Sequence, residues 1–268
     1  MSQLRFAFNL DTPDPSDFLT TIKKAGMTEV RIHISSDYSI TELTDLCDLL
    51  KHEGMKAVFQ PKYEIKTTGD SDATLKKIIE QPDEILARYT SVAAAIPTDI
   101  CMGISLPIGM HLAVKSRYFS SVGLQRAQAV NYLNRVAAMI RGSNHAVVLP
   151  VILDDVKAEN WKNVDCDVYD VEMMLSPSAA KLLTENAVQQ SLQAANRRVW
   201  FGKAGSVGGH QMPSVALKTL KRLKKYTAKS NIEYAFLWSE KAVTNFAWSK
   251  DGVMVVDILN ESFQHLNQ

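Results

Sequence analysis

The chain has 268 residues, 46% hydrophobic and 22% charged, with 30 Lys and Arg against 29 Asp and Glu. These are globular proportions with enough chain to bury a large core, and they exclude a disordered or coiled-coil protein. A net charge of +1 gives no long-range field, so neither nucleic acid nor a membrane surface is an expected partner.

Cys47, Cys101 and Cys166 are scattered, with no C-x-x-C spacing. They argue against a disulfide framework or zinc site and for a reducing compartment. The opening MSQLRFAFNLDTPD lacks a secretory apolar region, and no run approaches the roughly 18 apolar residues of a membrane span. A cytoplasmic location is the expectation.

Apolar strand patterns alternate with helical ones along the chain. RFAFNL (Arg5 to Leu10) precedes DPSDFLTTIKKAG. EVRIHI (Glu29 to Ile34) precedes SITELTDLCDLLKHEG, and KAVFQP (Lys56 to Pro61) precedes a polar loop and a helical stretch broken at Pro82. DICMGISLPI (Asp99 to Ile108) leads to LQRAQAVNYLNRVAAMIRG, and HAVVLPVIL (His145 to Leu153) to a short, poorly helical link. DCDVYDVEMML (Asp165 to Leu175), RVWFGKA (Arg198 to Ala204) and IEYAFLWS (Ile232 to Ser239) complete the strands. Eight strands joined by mostly helical crossovers predict a (β/α)8 TIM barrel of the α/β class, one domain over residues 1–268. A doubly wound sheet would show a Gly-rich turn after the first strand, where NLDTPDP stands instead.

Side chains alternate inward and outward along barrel strands, and functional groups gather at the C-terminal ends. The apolar set Val30, Ile32 and Ile34 suits the helix-facing side, which turns Arg31 and His33 inward. The same parity turns Arg5, Asn9, Val58, Gln60, Gly103, Ser105, Asp170 and Glu172 inward, and puts Trp238 and Glu240 on one face. So many polar groups in one barrel need either a ligand or one another, for example Arg31 with Glu172, and both readings stand at this level. Cys47 reads as helix core and LKTLKRLKKYTAK as the solvated face of an outer helix. His111 and His210 fall in loops near the expected mouth. No spacing suggests a metal, and no cofactor is expected.

Three segments together resemble glycoside hydrolases of the cellulase-like, clan-A barrel group. "GMTEVRIHI" is similar to their second strand, where an arginine faces the catalytic centre. "RVWFGKAG" is similar to the seventh strand, which carries the nucleophilic glutamate, and "YAFLWSEK" to the eighth, whose tryptophan floors the sugar site. The resemblance implies a carbohydrate-active barrel. Lys203 stands where that glutamate belongs, and the fourth strand ends in Ser-Leu-Pro-Ile without the family's Asn-Glu pair. Both carboxylates of a retaining mechanism are missing from their places, which implies an altered or lost reaction. DCDVYDVE is also similar to the chitinase-like D-x-x-D-x-D-x-E strand, but Val168 replaces the middle aspartate and the segment falls on the sixth strand rather than the fourth.

Asp170 and Glu172, at i and i+2, share a strand face, and two close carboxylates raise the pKa of one, as an acid catalyst requires. Lys203 serves either as a salt-bridge partner for them or as a Schiff-base amine. The AGSVGG stretch, with Gly205, Ser206, Gly208 and Gly209, reads as a flexible turn or as a phosphate cradle.

The leading expectation is a divergent glycosidase, or a sugar-binding protein derived from one, with a small-molecule or oligosaccharide ligand. Glu172, Asp170, Lys203 and Glu240 are the candidate catalytic residues. Arg31, His33, Gln60, Tyr63, Trp238 and His210 are the candidate substrate contacts, with Trp200 and Tyr169 as further aromatic platforms. A Schiff-base aldolase or lyase using Lys203, and a non-catalytic interaction scaffold, are the alternatives.

Overall fold

The computed structural model describes residues 4–10, 19–20, 22–23, 26–35, 37–61, 82–107, 126–152, 161–175, 190, 196–206, 221, 223–225, 227, 232–238, 249–250 and 253–254, of which 152, 172–175, 203–206, 238, 249–250 and 253–254 are described as backbone. Eight parallel strands close into a barrel in chain order, β1 pairing with both β2 and β8. They are β1 Arg5–Leu10, β2 Glu29–Ile34, β3 Lys56–Pro61, β4 Cys101–Ser105, β5 Val147–Ile152, β6 Val168–Leu175, β7 Arg198–Ser206 and β8 Ile232–Trp238. The (β/α)8 expectation therefore holds. A small antiparallel pair, β9 (Ser249–Lys250) with β10 (Val253–Met254), follows the barrel and was not anticipated.

Three outer helices have described bounds: α1 Ile40–Glu53, α2 Asp83–Ala95 and α3 Arg126–Gly142. Local chemistry sets the ends of α1. Ser39 accepts from the Glu42 backbone while the Glu42 side chain accepts from the Ser39 backbone, and Gly54 closes the helix at φ 66°. That is a capping box followed by a left-handed glycine stop. Leu43, Leu46, Cys47 and Leu50 form its buried stripe, as the 3.6-residue period requires.

The strand limits differ from expectation where side chains or turns intervene. Residues 98–100 form a turn, so β4 starts at Cys101 rather than Asp99. β6 starts at Val168 because the acidic residues before it are engaged elsewhere. Asp165 takes Arg141 bidentately at 2.9 and 2.9 Å, and Asp167 takes both Arg141 and the Val147 backbone N–H. β7 runs on to Ser206, pairing Gly205 with Met174 and Ser206 with Leu175. Those two residues continue the ladder, which corrects the flexible-turn expectation for them. Gly208 and Gly209 lie outside the described residues.

Two apolar cores sit on either side of the barrel wall. The larger joins outward strand residues to the helices. The smaller fills the barrel with Ala7, Val58, Val148, Val168, Trp200 and Phe236. On β4, Met102 packs against this cluster and Gly103 leaves it room, since a Cβ there would stand 2.7 Å from Val148 Cγ2. Trp200 occupies that crowded centre, fully buried, with its indole N–H donating to Glu233 at 2.9 Å. It is packing, not a platform for a ligand. Tyr169 faces the outer core beneath Arg197, whose guanidinium carbon stands 4.7 Å from the ring centroid. Both therefore leave the list of aromatic platforms.

Trp200→Ala removes the largest side chain of the barrel interior and the Glu233 hydrogen bond. Denaturant unfolding is expected to show a loss of about 3–5 kcal/mol.

Candidate functional site

Parallel strands bring all eight C-terminal ends to one mouth, and six polar side chains gather below it. They are Asn9 on β1, Arg31 and His33 on β2, Gln60 on β3, Ser105 on β4 and Asp170 on β6. Five are fully buried, and only His33, at 8% exposure, reaches toward solvent. The register explains the grouping: Asn9 lies opposite Arg31, and His33 opposite Gln60, so partners on adjacent strands share the inward face.

The outer helices hold this end in place. Tyr89 of α2 donates its hydroxyl to the Ser105 carbonyl at 3.1 Å. Arg88, one residue earlier, donates to the carbonyls of Ser35 and Tyr38 in the loop after β2. At the opposite end of the barrel, just before β5, His145 bonds the Ala93 carbonyl near the end of the same helix at 2.9 Å.

Arg31 is the centre of the site. Its Nη2 stands 2.6 Å from Asp170 Oδ2, and Nη1 donates to the Gly202 carbonyl at 2.6 Å. Its guanidinium carbon lies 4.6 Å from the Phe236 ring centroid, a cation–π distance. The expected carboxylate face on β6 is therefore partly spoken for. The ion-pair partner that the sequence suggested for Arg31 was Glu172; the one observed is Asp170, one inward position earlier. A carboxylate neutralised this way repels a neighbouring carboxylate much less, which removes the physical basis for Asp170 holding a proton on Glu172.

A bulge in β7 makes room for the pair. Val171 lies opposite Phe201 but Glu172 lies opposite Lys203, so Gly202 is the extra residue. β8 sees the same interruption, Ala235 facing Phe201 and Leu237 facing Ala204. A Cβ on Gly202 would fall on the carboxylate of Asp170. Only glycine leaves space for that carboxylate while offering its carbonyl to Arg31. Without the bulge, Lys203 would be out of step with Glu172.

A second link ties β1 to β2: His33 Nε2 and Asn9 Oδ1 are 3.0 Å apart. An amide oxygen only accepts, so Nε2 carries the proton. Beside these closed pairs, Gln60 Oε1 and Nε2, Ser105 Oγ, Asn9 Nδ2 and Arg31 Nε have no hydrogen-bond partner among the described residues.

Of the remaining sequence candidates, Glu172, Lys203 and Trp238 lie on β6, β7 and β8, with Trp238 opposite Asn9 and Glu172 opposite Lys203. Tyr63, His111, His210 and Glu240 lie outside the described residues. Asn9 and Ser105 were turned inward by parity but not singled out as site residues. Gly202 was missed; an isolated glycine inside a strand was its one signal. Burial pushes the thiols of Cys47, Cys101 and Cys166 up to about 12, which makes them poor nucleophiles at neutral pH. Among the described residues, no three His, Cys, Asp or Glu side chains form a metal-holding group. Nor is any helix among them long and apolar enough to cross a membrane.

The fold has clear relatives among solved structures. A GH113 β-1,4-mannanase superposes with a TM-score of 0.70 at 12% identity, covering 100% of this chain and 99% of its own. A GH5-4 broad specificity endoglucanase from Clostridium longisporum gives 0.70 at 10% identity, covering 98% and 96%. Endoglucanase Cel5A from Thermotoga maritima gives 0.66 at 13% identity, covering 98% and 97%. No protein-family model and no curated protein sequence matches the chain. At such identities the likeness establishes the fold alone, a closed (β/α)8 barrel, and the activity must be argued from the site.

Gly202→Ala forces Asp170 away from Arg31 and is expected to destabilise the protein by about 1–3 kcal/mol in denaturant unfolding. Gly142→Ala is the control. A Cβ there meets nothing within 4 Å, so the change is expected to leave stability unaltered or raise it by up to about 1 kcal/mol.

Proposed function

We propose that this protein is a carbohydrate-active barrel that binds an oligosaccharide at the C-terminal mouth, with retaining hydrolysis absent or very slow. One observation carries the reading: Asn9, Gln60 and Ser105 bring unsatisfied donors and acceptors, fully buried, to the end of the barrel where ligands enter. A sugar hydroxyl both donates and accepts, and an amide such as Gln60 meets two vicinal hydroxyls with its oxygen and nitrogen. His33 is the exposed edge of this group, and Trp238 at the tip of β8 is the proposed stacking surface. Arg31 and Asp170 position the floor of the site. Lys203 in place of the nucleophilic glutamate, and Ser-Leu-Pro-Ile in place of Asn-Glu, argue against a two-carboxylate mechanism. Any residual acid catalysis would fall to a strand-end carboxylate, Glu172 or then Glu240, and for Glu172 it would need a proton held by something other than Asp170.

Calorimetric titration with β-1,4-linked mannan and glucan oligosaccharides tests binding. Saturable binding is expected, weakened about tenfold by Gln60→Ala through loss of hydrogen bonds and abolished by Trp238→Ala. Binding to neither series would defeat the reading, and borohydride trapping of Lys203 by a carbonyl substrate would replace it with imine chemistry. Turnover of aryl glycosides is expected to be at the limit of detection and to vanish in Glu172→Gln. Rapid turnover surviving that change would move the acid role to another residue.

A further inference from the structure

Arg31 is the one fully buried Lys or Arg among the described residues, and it lies directly beneath the mouth. A guanidinium open to that mouth would be a ready receptor for carboxylate or phosphate, which its fork matches in two-point geometry. Here the fork is occupied. Nη2 is held by Asp170, Nη1 by the Gly202 carbonyl, and one face by Phe236. Of these three, Asp170 alone brings a full opposing charge; the carbonyl and the ring bring only partial ones.

Resting on the carbohydrate reading above, we propose that Asp170 is a specificity-determining residue. By closing Arg31 into an internal pair it keeps the floor of the mouth electrically neutral, and so selects uncharged over anionic sugars. The polar groups beside the pair, Asn9, Gln60 and Ser105, are uncharged. At the next level of the register Glu172 and Lys203 stand opposite one another, again one acidic and one basic position. Gly202 makes the arrangement possible, since any side chain there would displace the Asp170 carboxylate. Neutralising Asp170 without changing its shape leaves a buried cation with no opposing charge in a medium that screens it poorly. An anionic ligand then restores the balance.

The test compares the wild type, Asp170→Asn and the double variant Arg31→Gln with Asp170→Asn, each confirmed folded by circular dichroism. The probes are cellotriose, its C6-oxidised uronate counterpart and inorganic phosphate. The wild type is expected to bind cellotriose at least about tenfold more tightly than the uronate. Asp170→Asn is expected to shift that preference at least about tenfold toward the uronate, with an affinity that falls as NaCl rises. The double variant, neutral again, is expected to lose the shift, which a merely structural role for Asp170 does not predict. Phosphate is expected to raise the Tm of Asp170→Asn and of neither other protein. An unchanged preference in folded Asp170→Asn, or tighter uronate than cellotriose binding by the wild type, overturns the proposal. Should Asp170→Asn not fold, the wild type decides: uronate binding that weakens steeply between about 20 and about 300 mM NaCl would mean that Arg31 is open to ligands after all. If no oligosaccharide binds the wild type, the carbohydrate reading fails, and the charge role stands or falls on the phosphate response of Asp170→Asn.

Discussion

Arg31 reaches across the barrel interior from β2 to meet Asp170 on β6, and much of the upper barrel is arranged around that contact. Taking both charges out of water costs several kcal/mol per ion. Their mutual attraction, the Gly202 carbonyl and the Phe236 face offset that cost, and each imposes a geometric demand. The carbonyl requires the β7 bulge, the carboxylate requires a glycine at 202, and the ring requires β8 to bring Phe236 within 4.6 Å. Well-packed apolar residues in place of such a pair are often equally stable or more so, by about 1–4 kcal/mol. Stability alone therefore does not account for charges at this level of a barrel that is filled below by Val, Ala, Phe and Trp.

The fold was legible because its signals are local and repeated. Period-two alternation marks β2 and β3 to the residue, and Ser39, Glu42 and Gly54 mark both ends of α1. Inward parity followed from the same alternation on β1 to β4, where Asn9, Arg31, His33, Gln60 and Ser105 all lie on the buried inner side. What the sequence did not carry is the pairing across the barrel. Parity offered Arg31 two carboxylates, Asp170 and Glu172, and choosing between them needs the stagger of β2 against β6, four strand spacings away on the opposite side of the barrel. The bulge at Gly202 was equally hidden, because an extra residue in one strand shows only against its neighbours. Trp200 misled for a different reason: an aromatic near a strand end suits a sugar platform and a barrel core alike, and only burial tells them apart.

The mannanase and endoglucanase likenesses extend over nearly the whole chain at 10–13% identity, so the barrel is shared while few side chains are. The departures from the resemblance seen in the sequence fall at two strand ends. A lysine at 203 cannot act as a carboxylate nucleophile, and Ser105-Leu106-Pro107 supplies no acid. Asn9, Arg31 and His33 lie buried at the inner wall, with His33 Nε2 and Asn9 Oδ1 3.0 Å apart. That combination motivates the proposed reading of a barrel that binds a sugar without cleaving it.

The distribution of satisfied and unsatisfied groups points the same way. A network built only for stability would close on itself, since each buried donor or acceptor left unpaired costs about 1–3 kcal/mol. The polar array here closes in two places, at Arg31–Asp170 and at His33–Asn9, and stays open at Gln60, Ser105 and the remaining amide nitrogen of Asn9. The charges of Arg31 and Asp170 are thus paired, while the neutral amides and hydroxyl, and the Arg31 Nε, stay open. Val or Ile at 60 and 105, as elsewhere in a barrel lining, would avoid that cost entirely. Under the proposed reading, this open neutral arc suits a partner that supplies many hydrogen bonds and no net charge.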